Sequence, residues 1–284
     1  MNLLCVAILA IIQGLAELLP VSSSAHVIVA EKLLGLDPSS PAMTLLLVML
    51  HTGTMFAVIV YFWRDWRATY FESAATFKRA AALIILATAL TGIIGLALKK
   101  LIEKTFFAGS PHAEIENLFS HLELIAPALA AAGILILFAG MLEKRTMDGS
   151  DLNFRHAGII GAVQGLCLPF RGFSRSGATI SAGMLAGVAK ARVEAFSFAL
   201  AVVLTPPVVG REVLRLARAE RIEGAAALAS AVFPSLLGAV FAFLAGLLAL
   251  KWLSNWLLGG RWYYFGIYCL IAAAAVSYLH TLGY

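Results

Sequence analysis

The stretch Gln13-Gly14-Leu15-Ala16-Glu17-Leu18-Leu19-Pro20-Val21-Ser22-Ser23-Ser24-Ala25-His26 sets a carboxylate, a proline, three serines and a histidine into a largely apolar run over residues 1–36. Each flank of that interruption is about 12–18 residues, short of the roughly 20 that a helix needs to cross a bilayer. A short helix, a polar turn and a second short helix is the pattern of a re-entrant hairpin, which enters and leaves the membrane on one face. Irregular backbone at that depth is tolerated only where protein buries it or a wet cavity receives it. A cleaved leader over residues 1–19 is disfavoured, since no basic segment precedes it and Glu17 interrupts it.

The pattern recurs. Gln164-Gly165-Leu166 repeats Gln13-Gly14-Leu15, Pro169 follows as Pro20 does, and Ser174-Arg175-Ser176-Gly177 answers Ser22-Ser23-Ser24-Ala25. The second occurrence lies in 156–189, again a broken apolar region. Six longer apolar stretches complete the chain, at 44–63, 80–98, 118–142, 193–210, 229–250 and 262–282. Each hairpin precedes three of these spans, and because three is odd the second half starts from the opposite face. The expected fold is therefore an all-α polytopic membrane protein with an inverted-topology repeat, six transmembrane helices and two re-entrant helical hairpins. Residues 1–142 make the first repeat, 143–155 the connecting loop and 156–284 the second, in one membrane domain.

Composition agrees. Of 284 residues, 61% are hydrophobic and 13% charged, against about 45–50% and 25% in soluble domains. That excludes a soluble enzyme, a disordered chain and a disulfide scaffold. Cys5, Cys167 and Cys269 lie far apart in apolar stretches and read as small hydrophobes. The net charge of +5 does not point to nucleic acid, because the 21 Lys and Arg mostly sit between apolar runs. Eight fall on the N-terminal side of the membrane and eleven on the other, and the remaining two, Arg171 and Arg175, lie in the second hairpin. By the positive-inside tendency both termini lie outside the cytoplasm.

The chemistry sits in the two hairpins. Gln13 and Glu17, spaced i, i+4, share a helix face, and a carboxylate at membrane depth is a functional hypothesis by default. Ser22, Ser23 and Ser24 follow, of which an N-cap role explains one and fits Ser22. The second hairpin supplies Arg171, Gly172, Ser174, Arg175, Ser176 and Thr179. An inverted repeat brings the two tips together, each opening a helix whose positive end favours an anion. Arg175 adds a planar fork for phosphate. A carboxylate, a histidine, hydroxyls and an anion pocket suit phosphoryl transfer on a lipid phosphate. No P-loop pattern is present.

The first stretch resembles the (E/Q)xxxE and PVSSS-x-H signature of the bacterial undecaprenyl-diphosphatase family, also called bacitracin resistance proteins. Gly172-Phe173-Ser174-Arg175-Ser176-Gly177-Ala178-Thr179 resembles its second signature, PGxSRSGxT. The resemblance implies hydrolysis of undecaprenyl diphosphate to undecaprenyl phosphate in the inner membrane, with the site open to the periplasm. This recycles the carrier lipid for peptidoglycan synthesis and confers resistance to bacitracin. It further implies a divalent cation, Mg²⁺ or Ca²⁺, with no organic cofactor, and catalytic positions at Glu17, His26, Ser23 and Arg175. Three departures stand out: Gln13 in place of Glu, Phe170-Arg171 inserted between Pro169 and Gly172, and Tyr268-Cys269 where Tyr-Arg is common.

In the resulting assignment Ser23 is the nucleophile or the hydroxyl nearest an attacking water. His26, three residues on, is base or leaving-group acid, and Glu17 orients it or binds the cation. Arg175, with Gln13, Ser22, Ser24, Arg171, Gly172, Ser174, Ser176 and Thr179, binds the diphosphate. His51 reads as a local polar contact, and His112, His121, His156 and His280 take no role. Expected partners are the lipid diphosphate and membrane lipids, with no nucleic acid; a homodimer is allowed. The main rival is a transporter or flippase of a prenyl phosphate lipid, which has no need of the serine–histidine pairing. A structural membrane subunit leaves Glu17, Arg171 and Arg175 unexplained.

Overall fold

A computed structural model describes residues 2–37, 40–106, 121–142, 150–223 and 225–283. They form ten helices: α1 Leu3–Leu18, α2 Ser23–Leu33, α3 Pro41–Tyr70, α4 Ala74–Phe106, α5 Leu122–Leu142, α6 Phe154–Cys167, α7 Arg175–Leu185, α8 Lys190–Glu223, α9 Ala225–Leu258 and α10 Tyr263–Thr281. Local chemistry sets several starts. Asn2 caps α1, Ser40 caps α3 with Pro41 in the first turn, and Ser174 caps α7, each side-chain oxygen taking an N–H that the helix cannot satisfy.

Six helices (α3, α4, α5, α8, α9 and α10) are long and apolar enough to cross a membrane. They contain four of the six expected spans whole, and α10, at Tyr263–Thr281, falls one residue short of the expected 262–282 at either end. α5 begins at Leu122 rather than 118, and residues 118–120 lie outside the described residues. The connecting loop, expected over 143–155, gives up its last two residues to α6, because Asn153 caps that helix and accepts from His156 N at 3.0 Å. Residues 143–149 of that loop are outside the described residues. The outward faces of the long helices carry Ile85, Leu96, Phe233 and Ile271, each over 60% exposed. Such a surface suits lipid, not water.

Inside, α3 lies against α8 and α9, α5 pairs with α10, α1 packs on α9 and α6 packs on α4. Phe62 of α3 stacks on Phe198 of α8 at 5.4 Å between ring centroids and on Trp66 at 5.7 Å. Trp66 Nε1 donates to Ala195 O at 3.1 Å. Val6, Leu9 and Ala10 of α1 share a buried cluster with Val27 and Ala30 of α2, so α2 folds back along α1. The segments flanking α6 and α7 run side by side: Ser150 N donates to Gly187 O at 2.8 Å and Ala189 N to Ser150 O at 3.1 Å.

The two short pairs are seated by the glycines of the repeated Gln-Gly-Leu. A Cβ on Gly14 would stand 2.6 Å from Ala245 Cβ of α9, and one on Gly165 2.9 Å from Ile94 Cβ of α4. Both are closer than side chains pack, so each helix approaches its partner only with glycine there. Gly14→Val and Gly165→Val should each lose about 1–3 kcal/mol, the usual range for overpacking, seen as a lower Tm in detergent. Gly92→Ala, whose Cβ meets nothing within 4 Å, should hold or raise Tm, alanine being the better helix former.

Candidate active site

The tips of the two short pairs meet. Ser176 Oγ donates to Leu19 O at 3.2 Å, Gly172 N donates to Ser24 Oγ at 3.4 Å, and Cys269 Sγ donates to Pro20 O at 3.4 Å. α2 and α7 are each 11 residues long and start in the register that the repeat implies, Ser23 opening one and Arg175 the other.

Between the tips lies the Glu17 carboxylate, its side chain 19% exposed. Oε2 accepts from Ser23 Oγ at 2.5 Å and from Gln13 Nε2 at 3.1 Å; Oε1 accepts from Arg175 Nη2 at 3.1 Å. Thus the opening residues of α2 and α7 converge on one acid, and Gln13, 1% exposed, steadies it from the preceding turn. The Ser23 bond has the length of a charge-assisted hydrogen bond from hydroxyl to carboxylate.

Ser23 therefore has a different proton acceptor from the one that its i, i+3 spacing to His26 suggests. His26 Nδ1 donates to Ser22 O at 2.8 Å; a carbonyl only accepts, so Nε2 of the neutral ring accepts from Tyr268 OH at 2.7 Å. The His26 and Tyr268 rings stack at 5.6 Å. His26 is spent on the turn and on α10.

Ser22 also corrects an expectation. It holds the N-cap position of α2, but its side chain makes no capping bond, and its φ of 67° is one that residues with a Cβ rarely adopt. Its hydroxyl pairs instead with Ser24 Oγ at 3.2 Å. Backbone strain of this kind is kept where the surroundings enforce it, and here His26 grips the Ser22 carbonyl.

The α6–α7 pair and the turn between its helices divide their expected binding residues. Arg175 reaches the site. Gly172, at φ 97° and hard against Ile125 O, makes the tip turn that a Cβ would block. Ser174, Ser176 and Thr179 are 2%, 3% and 0% exposed, and their hydroxyls serve the scaffold. Ser174 Oγ accepts from Gly177 N at 3.2 Å, and Thr179 Oγ1 donates to Arg175 O at 2.8 Å and pairs with Ser197 Oγ at 2.6 Å. Two residues join the site that spacing alone did not place there. His51 of α3 donates Nδ1–H to Leu47 O at 2.8 Å and turns Nε2 toward Glu17 Oε2, 3.9 Å away. Tyr268 is the other. His51-Thr52 and Thr54 are polar breaks in the apolar run of α3, a signal present in the sequence; Tyr268 is one of four tyrosines in α10, and nothing in its spacing singles it out as the partner of His26.

Ser176 gives a direct test of this division. Ser176→Ala removes a buried hydroxyl that donates to Leu19 O, a carbonyl that keeps its bond from Val21 N at 2.8 Å, so it should destabilise by about 0.5–1.5 kcal/mol and lower Tm in detergent with KM unchanged. A raised KM at unchanged Tm would return Ser176 to the substrate.

The model of the bacitracin resistance protein BacA family matches residues 6–275. Undecaprenyl-diphosphatase 2 of Acinetobacter baylyi is 60% identical over 279 residues, 97% of either chain. Undecaprenyl-diphosphatases of Syntrophotalea carbinolica and Parabacteroides distasonis are 37% and 32% identical, over 95% and 93% of each chain. With a family match across nearly the whole length and close relatives covering the same span, the chain belongs to the bacitracin resistance protein BacA family.

Proposed function

We propose that this protein is an integral-membrane phosphatase that hydrolyses undecaprenyl diphosphate to undecaprenyl phosphate and phosphate. It works in the bacterial inner membrane with its site open to the periplasm, recycles the carrier lipid for peptidoglycan synthesis and so confers bacitracin resistance. The single observation that carries the reading is the convergence of Ser23 and Arg175 on Glu17. A hydroxyl is held by a base, beside an arginine able to receive a phosphoryl group. The names of its relatives supply the substrate.

Ser23 Oγ attacks the terminal phosphorus as its proton passes to Glu17 Oε2, while Arg175 stabilises the charge on the transferring oxygens. The anhydride P–O bond breaks and undecaprenyl phosphate leaves with the bonding pair. Glu17 gives its proton to solvent. It then takes one from a water that attacks the phosphoserine, and returns it to Ser23 Oγ as phosphate departs. His26 positions the strained turn on which Ser23 stands.

A divalent cation, Mg²⁺ or Ca²⁺, fits this donor set in a limited way. Among the described residues no three His, Cys, Asp or Glu gather as a metal site. One carboxylate plus the substrate's own phosphates is a usual Mg²⁺ arrangement. Glu17 would hold it with help from the Ser23 hydroxyl, and the cation would neutralise diphosphate charge.

The same reading takes α1–α2 and α6–α7 as re-entrant hairpins of an inverted repeat. Supporting it are the equal lengths of α2 and α7, the exchange of α1 on α9 for α6 on α4, and the juxtaposed ends of the α6–α7 unit.

Phosphate release from undecaprenyl diphosphate by purified protein in detergent tests the proposal, since flipping needs a sealed compartment and hydrolysis does not. Ser23→Ala should nearly abolish release, and Arg175→Lys, which keeps charge but loses the fork, should lose on the order of 10²-fold. Near wild-type kcat in Ser23→Ala would remove Ser23 from the mechanism and favour a water activated by Glu17. No release by the wild type would leave a transporter.

A further inference from the structure

One acid and one arginine lie just outside the site. Glu31, on the last turn of α2, is 3% exposed, and its Oε1 is buried with no hydrogen-bond partner among the described residues. It stands eight residues past Ser23, about 12 Å along the helix axis. Its electrostatic partner is Arg171, which belongs to the opposite hairpin. Arg171 is exposed and immediately precedes Gly172, whose N–H donates to Ser24 Oγ. Arg171 is thus rooted at the tip junction and drawn along α2. Arg171 lies in the Phe170-Arg171 insertion between Pro169 and Gly172, and Glu31 lies beyond the first signature.

The charge of the site gives this pair a purpose. Arg175 is already opposed by Glu17 at 3.1 Å. A diphosphate brings two phosphoryl groups, and one arginine with a committed counter-ion meets the needs of one. A buried carboxylate oxygen that lacks a hydrogen-bond partner is costly, so Glu31 beside an exposed arginine calls for a role. An exposed arginine otherwise samples many rotamers, and a fixed acid restricts them.

We propose that Arg171 is a second phosphate-binding residue, which takes the phosphoryl group next to the prenyl chain, and that Glu31 is its positioning residue. This rests on the proposed phosphatase reading and divides the labour: Arg175 acts on the group transferred, Arg171 on the group that leaves with the lipid. Arg171 therefore governs affinity for the diphosphate, and Glu31 acts only through it.

The test uses purified full-length protein in detergent, with two readouts: inorganic pyrophosphate binding by calorimetry, and kcat and KM on undecaprenyl diphosphate. Arg171→Ala should weaken pyrophosphate binding and raise KM roughly tenfold or more, the effect of losing one charge-assisted hydrogen bond, with kcat little changed. Arg171→Lys should fall between. Glu31→Gln should shift both in the same direction by less, and the double variant should match Arg171→Ala alone. Unchanged pyrophosphate affinity and KM in Arg171→Ala, measured on protein that elutes as the wild type does in size-exclusion chromatography, would overturn the proposal. So would additive effects in the double variant, or a Glu31→Gln change confined to Tm. If pyrophosphate binding depends on Arg171 while no phosphate is released from the lipid, the phosphatase reading fails, the division of labour fails with it, and only the phosphate-binding role of Arg171 stands. Hydrolysis at a KM indifferent to Arg171 means the opposite: the phosphatase reading stands and this one fails.

Discussion

A carboxylate taken out of water must be paired and hydrogen-bonded or it destabilises the fold that holds it. Glu17 meets that demand with groups from both halves of the chain: Gln13 and Ser23 from α1 and α2, and Arg175 from 158 residues away. The rest of the arrangement serves this junction. α1 is held on α9 by the close approach at Gly14, α6 on α4 by that at Gly165, and the tips are tied by Ser176 to Leu19 and Ser24 to Gly172. The bonds that satisfy the acid in the resting protein are those that the proposed chemistry needs, a hydroxyl to deprotonate and an arginine to share with phosphate.

The repeat shows why there is one such site rather than two. Gln164 corresponds to Gln13, but it donates Nε2 to Thr91 Oγ1 at 3.1 Å. Four residues on, where Glu17 stands in the first half, the second has Leu168, 48% exposed. Arg175 in turn replaces the hydroxyl of Ser23. One half supplies acid and nucleophile, the other the cation, and only their meeting makes a complete set.

Much of this was legible in the sequence. The apolar run lengths gave six spans, since bilayer thickness sets helix length. The echo of Gln-Gly-Leu, proline and serine located both tips and the register of α2 on α7. What escaped was decided by direction rather than by type. Spacing placed Ser23 near His26, yet its hydroxyl points at Glu17 while both nitrogens of His26 are occupied. The hydroxyls of Ser174, Ser176 and Thr179 share a signature with Arg175, but they face helix backbones and Ser197. Tyr268, 242 residues from His26, joins the site through the packing of α10. A residue's type does not record which way its side chain leaves the helix.

Glu17 and Arg175 pair across the two halves, and a charge exchange tests that pairing. In the purified protein, Glu17→Arg sets two cations together and Arg175→Glu two anions, so each should lower Tm markedly. The double variant, with the pair reversed, should recover most of that loss even if it is inactive. Losses that simply add in the double variant would show that the two side chains do not meet, and would contradict the junction on which the site is built.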